Sequence, residues 1–368
     1  MFENRAEARI DLSRLTENIE LLKNKCNTKL LAVVKADAYG HGLVEVAKAA
    51  ESAGADWLGV ALLEEAITLR KNGLKSPILA WLVPPGSDFQ SAVDLDIDVA
   101  IADIKAFNEV SQLTVKPRIH IEVDTGMSRG GFLDEWNEFL TSDFSRVTIV
   151  GVFSHFARAD EPQEKQNIQQ LNQFKKMVSQ LEAVGVHPQF KHLSNSAATF
   201  MNPDATFDFV RAGIAMYGLS PDVKSLGDSN KLSLKPVMQV RAKLHLVKSV
   251  PAGSAVGYGA SHVTKHATKL GVIAMGYADG IPRIALNAGV FVNGGKAPII
   301  GRVSMDQFVV DLGPNSLAKS GDWVIIFGDG SRGEYTADDW GDASSSINYE
   351  IVTRIGPRVP RIYAPHVY

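Results

Sequence analysis

The sequence predicts an α/β fold: a (β/α)8 barrel over residues 1–233, followed by a mainly β domain over residues 234–368. The first part alternates short apolar runs with amphipathic helical patterns, which is typical of a barrel of strands and helices. Several runs are apolar at both odd and even positions, so both faces are buried, as in a parallel sheet. The eight runs are residues 30–35, 57–61, 77–82, 99–102, 119–124, 147–154, 190–193 and 207–214.

A regular helical pattern separates the sixth run from the seventh. Its apolar residues recur at steps of three and four after Pro162, which is the spacing of one helix face. They are Ile168, Leu171, Phe174, Met177, Leu181 and Val184. This pattern predicts the helix that connects two neighbouring strands of the barrel.

Beyond Val237 the pattern changes to short alternating segments separated by turns that contain glycine. Alternation of apolar and polar residues predicts strands with one buried face, so this part is expected to be a compact β domain. The segments are residues 242–247, 269–275, 289–292, 297–303, 308–312 and 322–327.

The composition restricts the class of protein. The 368 residues carry a formal charge of −3, so no overall basic field attracts nucleic acid or an anionic membrane. The longest apolar run is far shorter than the roughly 18 residues that cross a bilayer. Met1 is not followed by a signal-peptide pattern, and a single cysteine, Cys26, excludes an internal disulfide framework. We therefore expect a cytoplasmic protein that binds neither nucleic acid nor membrane.

Polar side chains follow several of the predicted strands. Because a barrel gathers the carboxyl ends of its strands at one rim, these residues are expected to lie together. They are Lys35, Asp124 to Arg129, Ser154-His155, Ser194-Asn195-Ser196 and Arg211 to Ile214. The pattern predicts an active site at this rim. No histidine or cysteine spacing is typical of a metal site, so no metal is expected.

Lys35 follows five apolar residues, so its amine is expected to be partly desolvated. Desolvation lowers the pKa of a lysine and makes the amine nucleophilic, although a lysine at a strand end can also simply extend into solvent. Gly40-His41-Gly42 then opens a helix, and a helix N-terminus suits a phosphate. Ser196 and Gly213-Ile214 offer a hydroxyl and backbone N–H groups to the same anion. A lysine beside a phosphate cradle suggests pyridoxal phosphate.

Several motifs, collinear along the chain, resemble those of the bacterial alanine racemases. The motif around the lysine reads Val34-Lys35-Ala36-Asp37-Ala38-Tyr39-Gly40-His41-Gly42. The others are Asp124-Thr125-Gly126-Met127, His155-Phe156-Ala157, Asn195-Ser196-Ala197-Ala198, Arg211-Ala212-Gly213-Ile214, Gly257-Tyr258-Gly259, Met275-Gly276-Tyr277-Ala278-Asp279-Gly280 and Gly301-Arg302-Val303-Ser304-Met305-Asp306. The resemblance covers nearly the whole chain. It implies a pyridoxal-phosphate-dependent enzyme that interconverts L-alanine and D-alanine and supplies D-alanine for peptidoglycan.

The resemblance also implies a head-to-tail homodimer, in which each active site combines the barrel of one chain with Tyr258, Tyr277 and Met305 of the other. The cofactor would be held by Lys35 and Arg211, and its phosphate by Tyr39, Ser196, Gly213 and Ile214. The substrate would be bound by Arg129, Tyr277 and the backbone N–H of Met305.

Racemisation removes a proton from one face of Cα and delivers another to the opposite face, which two bases do better than one. The resemblance assigns these roles to Lys35 and Tyr258, with His155, backed by Arg211, favouring the deprotonated tyrosine. Arg211 would also face the ring nitrogen of the cofactor. Because an arginine is always charged and only donates, it favours an unprotonated ring nitrogen and suppresses side reactions such as transamination.

Two positions depart from the family pattern. Many alanine racemases have a carbamylated lysine where this chain has Glu122, which shares the parity of His120 and is expected to point into the barrel. A buried carboxylate needs a partner, so Glu122 is predicted to form a bidentate pair with Arg129 and to replace the carbamate. Pro357 stands where many relatives place a phosphate-binding tyrosine, so that hydrogen bond is absent from its usual position.

Three alternatives remain. A basic amino-acid decarboxylase with this cofactor would have an acidic residue in place of Arg211. A non-catalytic cofactor-binding barrel would lack the β domain that carries Tyr258 and Met305. A racemase for serine or another amino acid is the nearest alternative, because a methylene or hydroxyl group separates substrates by only about 1–3 kcal/mol in many pockets.

Overall fold

The computed structural model describes residues 4–285 and 287–364, which divide into two compact units. The barrel unit comprises Leu15–Ala38 and Leu43–Leu234. The second unit comprises the N-terminal residues up to Arg14, the short segment Tyr39–Gly42 and the chain from Lys235 onward.

The strands of the described residues are, in chain order, β1 (Ala6–Ile10), β2 (Lys29–Val33), β3 (Trp57–Val60), β4 (Ile78–Ala80), β5 (Ile97–Ile101), β6 (Arg118–Glu122), β7 (Thr148–Phe153), β8 (Phe190–His192), β9 (Phe209–Ala212), β10 (Met238–Val250), β11 (Ala255–Val256), β12 (His262–Val263), β13 (Thr268–Ile273), β14 (Gly289–Val292), β15 (Gly295–Pro298), β16 (Phe308–Asp311), β17 (Trp323–Phe327) and β18 (Arg361–Tyr363).

The helices are α1 (Leu12–Cys26), α2 (Lys35–Gly40), α3 (Leu43–Ser52), α4 (Leu63–Lys71), α5 (Phe89–Asp94), α6 (Ile104–Ser111), α7 (Trp136–Phe139), α8 (Lys165–Ala183), α9 (Ser196–Met201), α10 (Val223–Leu226), α11 (Ala337–Ala343) and α12 (Asn348–Thr353). Short 3₁₀ turns lie at Phe144–Arg146, Pro203–Ala205, Ile214–Tyr217, Tyr258–Ala260 and Tyr277–Asp279. In the described part of the chain, none of these helices combines the length and apolar character that a membrane span requires.

The barrel unit contains all eight predicted parallel strands. They pair in the order β9-β2-β3-β4-β5-β6-β7-β8, and every pairing is parallel. The ends of this sheet approach each other, because the N–H of Asp208 donates to the carbonyl of Lys191 at 3.0 Å. The N–H of Arg211 donates to the carbonyl of Ser194, also at 3.0 Å. The predicted barrel is therefore confirmed.

Aromatic and histidine side chains pack against one another inside the barrel. His192 stacks on Phe209 with ring centroids 4.1 Å apart, and Trp57 stacks on the same ring at 5.8 Å. His120 meets the edge of Trp57 at 5.3 Å. These contacts show that His120 points into the barrel, so Glu122, two residues further along β6, shares the inward parity that the sequence predicts.

Helix α8 buries the predicted apolar stripe only in part. Leu171, Phe174 and Met177 are buried, as the spacing indicates. Ile168 at one end is 63% exposed and Val184 lies just beyond the other end, also exposed. The predicted stripe therefore identifies the packed face of α8 correctly, but the buried part of that face is shorter than the stripe.

The second unit is built on a mixed sheet in the order β15-β14-β17-β10-β1-β18, and β13 and β16 continue from β10. The long strand β10 organises it by pairing with β1, β13 and β17. The N-terminal strand β1 lies within residues 1–233, the segment expected to form the barrel, but it pairs antiparallel with β10, with Ala8 opposite Val240. Strand pairing depends on distant partners, so the local pattern of β1 gives no sign of it.

Gly151 on β7 makes room for the buried ring of His120. A Cβ at this position would overlap Nδ1 of His120 and lie 2.6 Å from Cε1. We expect Gly151→Ala to lower the free energy of unfolding by about 1–3 kcal/mol, as overpacked core substitutions do. Denaturant unfolding would measure this loss. Gly295→Ala is the matched control, because a Cβ there meets nothing within 4 Å; equal midpoints for both variants would contradict the prediction.

Candidate functional site

Lys35 lies directly beyond β2, at the carboxyl end of the barrel strands. Burial and the nearby Arg129 charge lower the pKa of its amine, while Glu65 acts in the opposite direction. Its Nζ lies 5.8 Å from the ring centroid of Trp81. The structure therefore gives this lysine the partly desolvated surroundings that favour a neutral, nucleophilic amine.

The turn that follows Lys35 is left-handed. Ala36, Asp37, Ala38 and Tyr39 have φ values between 52° and 55°, and Gly40 has a φ of 79°. Each non-glycine residue in this conformation costs roughly 1–2 kcal/mol, and such strain concentrates at functional sites. Leu43 opens α3 directly after the turn, and its N–H donates to Asp37 Oδ1 at 2.8 Å. Burial raises the pKa of Tyr39, so its phenol stays a hydrogen-bond donor.

Glu65 holds the start of this turn, a role that the sequence analysis did not assign. Its Oε1 accepts the N–H of Ala36 at 2.6 Å, and its Oε2 accepts the N–H groups of Ala61 and Leu62 at 3.1 and 3.0 Å. A glutamate at the third position of a helix is the glutamate half of a capping box and was the available signal, although Leu62 at the N-cap has no side-chain acceptor to complete the motif.

Arg211 is buried at the end of β9, and its guanidinium is held by five acceptors. Nη1 donates to Nδ1 and to the carbonyl of His192 at 3.1 and 3.0 Å. Nη2 donates to the carbonyls of Ser154 and Leu193 at 2.7 and 3.1 Å, and to His155 Nδ1 at 3.1 Å. All five of these hydrogen bonds start from the Nη atoms, and none to a described residue starts from Nε–H. Burial lowers the pKa of Arg211 to about 10, so the group stays charged at neutral pH.

The contact with Arg211 fixes the tautomer of His155. A guanidinium can only donate, so Nδ1 of His155 must accept and the proton of the neutral ring lies on Nε2. Burial, followed by the charges of Arg211, Arg129 and Lys35, holds the pKa of His155 well below its usual value. His155 is thus a neutral ring whose Nε2 lies on the side away from Arg211, 3.5 Å from Nδ2 of Asn195.

The predicted phosphate residues of the barrel unit lie together. Ser196 begins α9, and its Oγ accepts the N–H groups of Gly213 and Ala215 at 2.9 and 3.4 Å. Asn195 caps the same helix by accepting the N–H of Ala198 at 3.0 Å. Ile214 follows Gly213 and opens a 3₁₀ turn. A hydroxyl and successive backbone N–H groups at one point form an anion cradle.

The expected ion pair between Glu122 and Arg129 is not formed in the described part of the chain. Arg129 is exposed, in a loop that Asp124 holds by accepting the N–H groups of Gly126, Met127 and Ser128 at 2.8–3.1 Å. Burial raises the pKa of Glu122, while the charges of Arg211 and then Arg129 oppose this shift. The loop holds the guanidinium of Arg129 away from Glu122. The carboxylate therefore interacts with Arg129 and Arg211 through its electrostatic field and not by direct contact.

The predicted residues of the second unit stand on three exposed turns. Tyr258 is 73% exposed, Met305 54% and Tyr277 40%. The structure joins two of these turns, since the N–H of Tyr277 donates to the carbonyl of Ser304 at 3.0 Å, and that of Ala278 to the carbonyl of Met305 at 2.9 Å. Tyr277 and Met305 therefore stand on turns that the backbone holds together.

Asp279 stabilises the turn that carries Tyr277, a loop-bracing role that the sequence also suggests. It is fully buried, accepts the N–H of Gly276 at 2.9 Å and pairs with Arg5 at 2.6 Å.

The C-terminal strand β18, which follows Pro357 in the sequence, contacts the turn after the lysine. Tyr363 donates to the carbonyl of His41 at 3.2 Å, and a Cβ on Gly42 would overlap its hydroxyl.

No group of three or more potential metal ligands is found among the residues that the structure describes. The donors of the barrel rim are instead cations, hydroxyls and backbone N–H groups, and such a set suits a phosphate and a carboxylate rather than a metal ion.

Comparisons with known proteins agree along the whole chain. The family models described as "Alanine racemase, N-terminal domain" and "Alanine racemase, C-terminal domain" match residues 10–221 and 237–363. The alanine racemase of Salinispora tropica is 46% identical to this chain, and the alignment covers 97% of this chain and 98% of that protein. The solved structure of alanine racemase from Streptomyces lavendulae has a TM-score of 0.96 at 44% identity, covering 100% of this chain and 99% of that one. That of Bartonella henselae alanine racemase, described with covalently bound pyridoxal phosphate, has a TM-score of 0.89 at 31% identity, covering 98% and 100%.

The raised pKa of Glu122 makes a prediction about stability and pH. A carboxyl whose pKa is raised by folding binds its proton more tightly in the folded state, so ionising it destabilises the fold. We expect Glu122→Gln to raise the melting temperature of the ligand-free protein at pH 8. The difference should vanish as the pH falls below the ordinary value of 4.5.

Thermal unfolding across this pH range would measure the effect, with exposed Glu138→Gln as the control. A Glu122→Gln protein that is less stable than the parent at pH 8 would show that the ionised carboxylate stabilises the fold.

Proposed function

The chain belongs to the alanine racemase family of isomerases, and we propose that it interconverts L-alanine and D-alanine with pyridoxal 5'-phosphate as cofactor. The observation that carries this proposal is the buried Arg211, whose hydrogen bonds to described residues all start from its Nη atoms and leave Nε–H for a ligand. Enzymes that decarboxylate or transaminate place a carboxylate at the ring nitrogen of this cofactor. A guanidinium at that point favours racemisation.

The residues of the barrel rim fit the cofactor. Lys35 offers an amine with a lowered pKa, and Arg211 Nε–H suits an unprotonated ring nitrogen. Ser196 and Ile214 offer a hydroxyl and an N–H group for the phosphate, and the N–H of Gly213, which donates to Ser196 Oγ in the structure, would turn to it when the phosphate is bound. We assign Tyr39 as a further phosphate donor, since burial keeps its phenol protonated. When bound, pyridoxal phosphate supplies an electron-withdrawing ring that delocalises the charge left on Cα after proton removal.

We assign the two bases to Lys35 and to Tyr258 of a second copy of this chain. The amine of Lys35 moves a proton on one face of Cα, and the phenol oxygen of Tyr258 moves one on the other. The neutral His155 donates through Nε2–H to that phenol oxygen and so favours its deprotonated form. The high exposure of Tyr258 in the single chain supports a role across a dimer interface.

We assign the substrate carboxylate to the exposed Arg129 and to the N–H of Met305 of the second copy, with Tyr277 beside them. Glu122 supplies the negative charge of this otherwise cationic region, through its field on Arg211 and Arg129. We further propose a cytoplasmic homodimer that supplies D-alanine for peptidoglycan. The single cysteine, free in the structure, supports a reducing compartment.

The lysine assignment is tested by Lys35→Ala. We expect the purified variant to lose the visible absorption of lysine-bound cofactor and to lose racemisation of L-alanine roughly 100- to 10,000-fold, as when an acid–base group is removed. Lys48→Ala on α3 is the control, because this lysine is exposed and its amine pairs with the side chain of Glu45 at 3.5 Å.

The parent protein should also be assayed with L-alanine, L-serine, L-lysine and L-arginine. The highest kcat/KM is expected for alanine. A higher value for serine would reassign the substrate, and an active Lys35→Ala protein would refute the role of the lysine.

The shared site is tested with two inactive variants. Lys35→Ala and Tyr258→Phe are each expected to be nearly inactive as homodimers. After complete subunit exchange at equal amounts, we expect about a quarter of the parent activity, because half of the dimers are mixed and each contains one fully native site of two. Mass spectrometry of the mixture would verify exchange. Exchange without recovery of racemisation would place Tyr258 in the site of its own chain.

A further inference from the structure

A line of buried polar side chains continues from Arg211 through the interior of the barrel. His192 Nε2 lies 3.0 Å from His120 Nδ1, and His120 Nε2 lies 3.4 Å from Asp98 Oδ2. Asp98 in turn accepts Arg118 Nε at 2.7 Å. These groups stand on β9, β8, β6 and β5, and both histidines are fully buried. The line leads from the rim that carries Lys35 to Asp98, which lies near the start of β5.

The hydrogen bonds from Arg211 to His192 and from His192 to His120 can run in one direction only, whereas His120 Nε2 meets the Asp98 carboxylate at ion-pair distance without a hydrogen bond. Arg211 donates to Nδ1 of His192, so the proton of that neutral ring must lie on Nε2. His192 then donates to Nδ1 of His120, which must accept, so the His120 proton also lies on Nε2 and faces the Asp98 carboxylate. A proton on Nδ1 of His120 would meet the Nε2–H of His192. Both rings are therefore held neutral, and each in a single tautomer.

The ends of the line supply the charges that fix this direction. Burial raises the pKa of Asp98, but the hydrogen bonds and charges of His120 and Arg118 outweigh it and leave the pKa below its usual value. Burial, Arg211 and His120 hold the pKa of His192 well below its usual value. The carboxylate at one end can only accept and the guanidinium at the other can only donate. The opposite tautomer of either ring would therefore place two donors or two acceptors against each other.

Aromatic rings keep the two histidines in place. Phe153 and Phe209 both stack on the ring of His192, with centroids 4.8 and 4.1 Å away, and Trp57 packs against His120. A ring held this way cannot turn without displacing its neighbours, because protein interiors are close-packed.

We propose that His192, His120 and Asp98 are positioning residues that orient the Arg211 guanidinium, so that its Nη atoms are engaged in the barrel and Nε–H is left for the bound cofactor. The inference rests on the proposed function for its effect on catalysis. His192 acts on Arg211 directly, His120 fixes the tautomer of His192, and Asp98 fixes that of His120. Losing the line frees one Nη1 donor and lets the guanidinium rotate.

The catalytic consequence is tested at His192 with the holoenzyme. His192→Leu removes one of the two acceptors of Nη1 and leaves the backbone carbonyl, whereas His192→Asn offers an amide oxygen near the position of Nδ1. We expect His192→Leu to lower kcat roughly 10- to 100-fold, as for a displaced catalytic group, with a smaller change in KM and more transamination per turnover. His192→Asn should recover most of kcat and of the product ratio.

Phe190→Leu is the matched control, because Phe190 packs against Trp57 and Phe209 in the same interior but takes no part in the line. It is expected to lower the melting temperature without changing the product ratio. The proposal is overturned if His192→Leu racemises alanine with the parent kcat and product ratio, or if Phe190→Leu changes that ratio as much as His192→Leu does.

A second measurement does not depend on activity. Nitrogen-15 NMR of histidine-labelled, cofactor-free protein, or neutron diffraction, reports which ring nitrogens carry protons. We expect a proton on Nε2 and none on Nδ1 for both His192 and His120 at neutral pH. A proton on Nδ1 of His192, or a doubly protonated His120, would refute the line even in an active racemase. A parent protein that shows the expected tautomers but does not racemise alanine would refute the proposed function alone.

Discussion

The buried guanidinium of Arg211 is the interaction on which the barrel rim depends. A permanent charge removed from water needs acceptors for its N–H groups, and here they are the carbonyls of Ser154, His192 and Leu193 and two imidazole nitrogens. Ser154 directly follows β7, and His192 and Leu193 lie at the end of β8. The arginine on β9 therefore connects the ends of three neighbouring strands, β7, β8 and β9, at the rim where the active site is proposed.

This one charge also sets the state of its neighbours. Because Arg211 only donates, His155 and His192 must accept, and both are neutral rings with their protons on the far nitrogen. Its field also contributes to the low pKa of His155 and opposes the raised pKa of Glu122. With Lys35 and Arg129 nearby, the rim is cationic, which suits a phosphate and a substrate carboxylate.

The turn after Lys35 shows how strain is held at such a site. Four non-glycine residues in the left-handed region are unfavourable by themselves, so other contacts must fix them. In the barrel unit, Glu65 accepts the N–H of Ala36. In the second unit, Arg361 donates to the carbonyl of Gly40 at 2.9 Å, and Tyr363 donates to that of His41. The C-terminal strand thus contributes to the conformation of a segment far away in the sequence.

The sequence by itself determined the barrel, its eight strands and the residues of the rim. Burial on both faces of a parallel strand leaves a local apolar run, and the residue after each run, such as Lys35 or His155, lies at the carboxyl end of its strand. The lysine motif and the motifs collinear with it identified the family. Parity alone placed Glu122 inside the barrel, beside the interior that His120 helps to fill.

Only the tertiary structure decided how these residues meet. Strand β1 pairs with β10, more than two hundred residues away, because backbone hydrogen bonds do not depend on local composition. The left-handed turn, the separation of Glu122 from Arg129, and the line from Arg211 to Asp98 have no local pattern either, and the local position of Glu65 at the start of α4 does not show that it reaches Ala36. Each depends on which donor faces which acceptor across the barrel, and that geometry exists only once distant strands have come together.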